Sequence, residues 1–124
     1  MMPDLLWQRY ARIWSSEPAV RTTELEACLA DGCSYCDING RIEGREALSD
    51  YMGEFQQRVK DGKFEIRSVI HHHDRTLAEW TLVGPGGAVL QTGRSFATVA
   101  SDGRLMNITG FFDTGNKARP AEAA

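Results

Sequence analysis

The chain has 124 residues, of which 42% are hydrophobic, 25% charged and 9% aromatic, the make-up of one globular domain rather than of a disordered or fibrous chain. Two full domains are excluded at this length, yet folding still buries roughly two thirds of the unfolded chain's surface, enough for a core without disulfide or metal staples. The 14 Lys and Arg against 17 Asp and Glu give a formal charge of -3, which offers no general attraction to phosphate backbones or anionic membranes and argues against nucleic acid and membrane as partners.

No stretch approaches the roughly 18 uninterrupted apolar residues of a membrane span, and MMPDLLWQRYAR lacks a basic segment followed by an apolar run. Cys28, Cys33 and Cys36 make an odd count, which fits a reducing compartment better than a disulfide framework. The expectation is a cytoplasmic protein.

From Asp4 to Trp14 the residues Leu6, Tyr10 and Ile13 recur at helical spacing, with Trp7 and Trp14 beside them. This predicts an amphipathic helix with Asp4 as its N-cap. After the Ser15-Ser16-Glu17-Pro18 break, Thr23-Glu24-Leu25-Glu26 has capping-box form, Leu25, Cys28 and Leu29 share a face, and Gly32 supplies a stop. A second, shorter helix follows from these signals. Cys33 to Ile38 reads as a short strand ending at the Asn39-Gly40 turn. A third helix begins near Arg45, with Leu48, Met52, Phe55 and Val59 in one stripe and Asp61-Gly62 at its end.

The rest reads as strand: Phe64 to His71, Thr76 to Val83, Ala88 to Ala100 and Leu105 to Asp113, separated by short turns that imply an antiparallel meander. Ala78, Trp80 and Leu82 alternate with Leu77, Glu79 and Thr81, giving the helices a sheet face to bury against. The fold class is therefore α+β, a single domain over residues 1–113 with helices gathered on one side of a curved mixed sheet. Thr114 to Ala124, small, polar and Pro-containing, is expected to be a flexible tail without chemistry.

Several of these residues carry a resemblance. Tyr35-Cys36-Asp37-Ile38-Asn39-Gly40, Glu43-Gly44-Arg45-Glu46-Ala47-Leu48, Trp80, Asp102-Gly103-Arg104-Leu105 and Ile108-Thr109-Gly110-Phe111-Phe112-Asp113 resemble the SnoaL-like branch of the nuclear transport factor 2-like superfamily. The resemblance runs from Trp7 to Asp113. It implies a cone-shaped curved mixed sheet with three helices on its concave side, a cystatin-like α+β barrel enclosing a largely apolar cavity. The same scaffold serves ketosteroid isomerases, polyketide cyclases, limonene-type epoxide hydrolases and non-catalytic binding proteins, so function rests on which groups point inward.

Resemblance to the ketosteroid isomerases puts Asp37 in the place of the general base and Tyr10 in that of the phenol donating to an enolate oxygen. The competing reading is that Asp37 only begins the Asn39-Gly40 turn and Tyr10 only packs. A second acid of those isomerases would fall near Arg94-Ser95-Phe96, where the chain has no carboxylate and Ser95 is the remaining donor. Asp113 matches a terminal-strand acid of the cyclases and epoxide hydrolases, whose water-positioning trio is incomplete around Glu79-Trp80-Thr81. On the last strand Asn107, Thr109, Phe111 and Asp113 share one face, and that mixed face is expected to line the cavity. Trp14, Tyr35, Met52 and Phe55, with Ser95, Asn107 and Phe111, complete the expected substrate-binding set.

Other motifs are read more plainly. His71 and His73 would face one way on a strand, but two imidazoles lack the further ligands zinc needs, so no metal or other cofactor is expected. Cys33 and Cys36 have redox spacing yet sit on opposite strand faces, and Gly84-Pro85-Gly86-Gly87 lacks the Lys of a phosphate loop. The expected function is cofactor-independent acid/base catalysis, by Asp37, Asp113 and Tyr10, on a small hydrophobic ketone or polyketide-like molecule. The alternative is a non-catalytic small-molecule-binding or dimerisation module of the same fold, with limonene-type epoxide hydrolysis as a minor reading. By the same resemblance, the chain is expected to form a homodimer through the open sheet face.

Overall fold

The computed structural model of the chain describes residues 2–113; the expected tail 114–124 lies outside them. Along the chain run α1 (Pro3–Ile13), α2 (Pro18–Cys28), β1 (Leu29–Asp37), β2 (Gly40–Glu43), α3 (Arg45–Arg58), β3 (Lys63–His72), β4 (Arg75–Val83), β5 (Val89–Val99) and β6 (Leu105–Phe112). A short 3-10 turn at Pro85–Gly87 links β4 to β5.

Pro3 opens α1, with Asp4 in its first turn and Arg12 in its last, so both charges complement the helix dipole. The cap position belongs to Met2, which makes no side-chain cap hydrogen bond, and Asp4 is therefore inside the helix rather than its N-cap. Leu6, Trp7, Tyr10 and Ile13 form its buried stripe. In α2 the start is Pro18, six residues before the first helical residue the capping box suggested, because proline at a first helical position needs no amide partner. Arg21, Leu25 and Cys28 are its buried residues. Arg21 ties the helices together, donating to Ser49 Oγ, the Ser16 carbonyl and Gln56 Oε1.

Leu29 is already extended at φ -117°, ψ 138°. Gly32, expected as a helix stop, instead lies within β1 at φ +73°, where the pairing with β6 shifts register between Leu29 and Ser34. Its positive φ accommodates a bulge rather than a helix end. The strand thus begins four residues before the expected Cys33. It then turns at Ile38 and Asn39 into β2, a short strand not foreseen, with Asp37 paired to Gly40.

The sheet order is β2-β1-β6-β5-β4-β3. β1 and β6 run parallel and all other neighbours antiparallel, so the sheet is mixed as expected. It curls round the helices without closing into a barrel, leaving β2 and β3 as edges. Trp7, Ile13, Leu25, Leu29, Leu48, Met52, Leu105 and Ile108 are almost fully buried. They fill the space between helices and concave sheet face, to which Ala78, Trp80, Leu82 and Ala97 contribute from β4 and β5.

Candidate functional site

Strand alternation turns Tyr35 and Asp37 of β1 toward the same concave face. The Tyr35 hydroxyl donates to Asp37 Oδ2 at 2.7 Å. From α3, the Tyr51 hydroxyl donates to Oδ1 at 2.8 Å and Oδ2 at 3.0 Å. The Asn39 backbone N–H donates to Oδ1 at 2.8 Å, an Asx turn that fixes the carboxylate locally. Asp37 therefore both starts the turn and faces the cavity. A carboxylate offers about four lone-pair sites, and these three donors bring three protons to it.

The cavity beside this cluster has a volume of about 440 Å³, within the usual range for a small-molecule site. Its wall is mostly aromatic: Trp7, Trp14, Phe55, Phe64, Trp80 and Phe112. These rings pack in series, Trp14 on Phe55 at 5.4 Å, Phe55 on Phe64 at 5.3 Å, Phe64 on Trp80 at 5.1 Å and Trp80 on Phe112 at 5.8 Å. Three of these contacts are edge-to-face and Phe55 on Phe64 is stacked, and aromatic contacts of both kinds stiffen an apolar wall.

Within that wall the Tyr10 hydroxyl is buried and has no acceptor for its proton among the described residues, the neighbouring Trp14 indole N–H being a donor only. Burial raises its pKa, the Trp14 side chain working the other way. Burial likewise raises Tyr35, reinforced by Tyr10 and Asp37, and raises Tyr51, reinforced by the hydrogen bond to Asp37. All three phenols thus keep their protons at neutral pH and act as donors. Ser95 Oγ accepts from Trp80 Nε1 at 3.0 Å.

These polar groups converge over Gly110 of β6. A Cβ there would stand 3.5 Å from Ser95 Oγ, 3.5 Å from the Tyr35 hydroxyl and 3.8 Å from Asp37 Cβ. The missing side chain leaves open the space between them.

Of the expected site residues, Asp37, Tyr10, Trp14, Tyr35, Phe55 and Ser95 all line the one cavity. Met52 does not; it is fully buried in the core behind the wall. Asn107 and Phe111 are corrected as well. Beyond the fully buried Leu105 at the start of β6, Ile108 and Gly110 are buried and Phe112 reaches the cavity, so this part of the strand has the opposite phase. Asn107 is exposed and accepts from Ser34 Oγ at 2.8 Å, while Phe111 is 54% exposed. Asp113 goes with that outer phase, accepting from Thr92 Oγ at 2.5 Å and Arg94 Nη1 at 3.2 Å. It is not among the lining residues of the cavity, and its carboxylate is engaged by Thr92 and Arg94 instead.

Sequence reasoning missed Tyr51, Arg58, Phe64, Gly110 and Phe112. Tyr51, Phe55 and Arg58 stand at helical spacings of four and three on α3, a stripe beside the expected one, and Gly110 inside a strand was a legible mark of close approach.

His71, His72 and His73 are exposed on the β3–β4 hairpin, and no cluster of three or more His, Cys, Asp or Glu suited to a metal occurs among the described residues. Cys28 and Cys33 are buried, Cys36 is half-buried on the outer face, and all are free thiols. Arg94 points outward to Glu79 and Asp113. No helix among the described residues is long and apolar enough to cross a membrane.

None of the curated proteins compared matches the sequence. Among solved structures, a SnoaL-like protein from Agrobacterium tumefaciens str. C58, named provisionally as an isomerase, has a TM-score of 0.83 at 22% identity, covering 88% of this chain and 95% of that one. A protein from Sinorhizobium meliloti, named provisionally as a polyketide cyclase, has a TM-score of 0.69 at 19% identity over 88% and 94%. A protein of ketosteroid isomerase-like fold from Catenulispora acidiphila DSM 44928, in complex with trimethylamine, has a TM-score of 0.73 at 13% identity over 92% and 88%. At these identities the likeness is one of fold. The family model of the SnoaL-like domain matches residues 7–108, most of the described chain, and the protein belongs to that family.

Proposed function

We propose that the protein is a cofactor-independent acid/base enzyme, an isomerase or cyclase, acting on a small hydrophobic ketone or polyketide-like molecule held in the cavity. The observation that carries this reading is the Asp37 carboxylate at the wall of an aromatic cavity that Tyr10 also lines, the Tyr10 hydroxyl being a buried donor without an acceptor among the described residues. A ligand carbonyl supplies the missing acceptor. Asp37 then takes a proton from the carbon beside that carbonyl: the C–H bond breaks, its electron pair becomes an enolate, and Tyr10 stabilises the charge on oxygen. Return of the proton at another carbon is isomerisation; attack of the enolate on a second carbonyl is cyclisation. Tyr35, Tyr51 and the Asn39 amide hold Asp37 in place with three protons, Tyr51 sharing its own between the two oxygens.

The same reading has two copies pairing through the outer face of the sheet, in the cytoplasm. A non-catalytic binding module is the second reading, favoured by the three donors already on Asp37.

The test is deuterium exchange beside the carbonyl of a panel of hydrophobic ketones in heavy water. Asp37→Asn is expected to slow exchange by about 10²- to 10⁴-fold, the usual contribution of a positioned base. Absence of exchange with the natural protein, while the same ketones raise its melting temperature, overturns catalysis and leaves the binding module.

A further inference from the structure

Two lining residues of the cavity carry formal charge, Asp37 and Arg58. Arg58 is the last residue of α3 and is exposed, so it marks the mouth, whereas Tyr10, on the same wall, is buried within.

Arg9, Arg41, Arg45, Arg67, Arg75, Arg94 and Arg104 each have a carboxylate partner. Among the described residues the Arg12 and Arg58 side chains alone of the arginines have no ion pair or hydrogen bond, and of the two only Arg58 lines the cavity. Glu54 stands one turn back on α3, at the spacing of a helical ion pair, and does not engage it. The guanidinium is nonetheless near the polar cluster: of the influences on the Tyr51 hydroxyl, burial and Asp37 raise its pKa and the Arg58 charge lowers it. Among the other lining residues that reach the surface, Val59 is half-buried and Leu90 50% exposed, and the polar Asn39 and Gln91 carry no charge. An arginine at the edge of an aromatic pocket presents a fork of N–H donors shaped for a carboxylate.

We propose that the ligand is amphipathic, an apolar carbonyl compound with an anionic carboxylate end, and that Arg58 holds the carboxylate at the mouth while the carbonyl reaches Tyr10 inside. The substrate class is thereby a small hydrophobic keto acid. The chain's net charge of -3 does not draw anions from a distance, so the attraction is local to Arg58. This inference rests on the cavity reading above but not on proton transfer by Asp37.

The test pairs two probes with one apolar body, 1-naphthylacetate and its neutral amide 1-naphthylacetamide, read by quenching of the cavity tryptophans Trp7, Trp14 and Trp80. The natural protein is expected to bind the carboxylate about tenfold more tightly than the amide, the scale of a charge-assisted over a neutral hydrogen bond. Raised salt weakens that preference. Arg58→Gln is expected to bring the carboxylate to the amide's level with the melting temperature unchanged, and Arg58→Lys to restore part of the difference. Equal binding of the two probes by the natural protein, a preference that survives Arg58→Gln, or no quenching by either probe overturns the proposal. Ketone exchange absent with the Arg58-dependent preference intact removes the enzyme reading and leaves this one standing.

Discussion

Tyr10 carries a hydroxyl that folding strips of water without supplying an acceptor. Such a group destabilises the folded state by about 1–3 kcal/mol. Tyr10→Phe is therefore expected to raise the stability of the unliganded protein by about 1 kcal/mol, within that range, while slowing ketone exchange by about 10²- to 10³-fold, the usual effect of losing one oxyanion donor. Thermal denaturation and the exchange assay on the same variant check both. A fall in stability would show that the hydroxyl has a partner in the free protein; unchanged exchange would remove it from the chemistry. Tyr10 and Asp37 were legible in the sequence because each sits in a periodic context, a helical stripe and a strand beside a turn. Tyr51 and Arg58 were not. Their stripe on α3 lies next to a more apolar one, and Leu48, Met52 and Phe55 carried the stronger signal. Met52 itself shows the limit of such a stripe, since an apolar helix face does not say which of its residues meets a void and which meets another side chain.

At the scale of the element, the strands and helices after Arg45 follow the sequence within a residue or two, because long strands with Gly-rich turns and a helix ended by Asp61-Gly62 leave little freedom. Two things escaped. The α2–β1 junction depends on Gly32 acting as a bulge, and the same residue type ends helices just as well. The phase of β6 escaped because both of its faces mix polar and apolar residues, and a one-residue change of phase exchanges the whole set. What fixes that phase lies outside β6, in the pairing of Tyr35 with Ile108 and of Ser95 with Gly110. A second glycine enforces the aromatic wall. At Gly93 of β5 a Cβ would lie 2.4 Å from the Phe111 carbonyl oxygen and 2.4 Å from the Trp80 ring. Backbone and indole cannot both move aside. Gly93→Ala is expected to lower stability by about 2–3 kcal/mol, the upper part of the range for overpacking, and to displace Trp80 from the wall. Urea unfolding gives the first effect and the tryptophan emission of the folded variant the second. Near-natural stability would mean that the indole has another place to go.

The whole molecule has two sheet faces, and one of them is served by the helices. On the other, Ile70 of β3, Leu77 of β4 and Phe96 of β5 pair in one row, which continues through Thr109 of β6 to Cys36 of β1. In the neighbouring row Phe111 pairs with Arg94 and Arg94 with Glu79. Ile70 is 65% exposed and Phe111 54%, so apolar side chains stand in water across the breadth of the sheet, the kind of patch that a partner surface covers. A two-fold axis through this face would set the row against its own copy, and self-complementary contact is the commonest way small proteins pair. Light scattering is expected to give twice the 13.8 kDa mass of the chain. Replacing Ile70 and Phe111 together by Glu is expected to give a monomer, since four carboxylates would then be brought together at the contact. Because the cavity opens on the opposite face, that monomer should still catalyse ketone exchange, at a rate per chain near the natural one. A natural protein that is monomeric at micromolar concentration overturns the pairing. A dimer indifferent to both substitutions moves it to another surface, and a monomer without exchange would mean that the sheet needs its partner to keep Asp37 and Tyr10 in register.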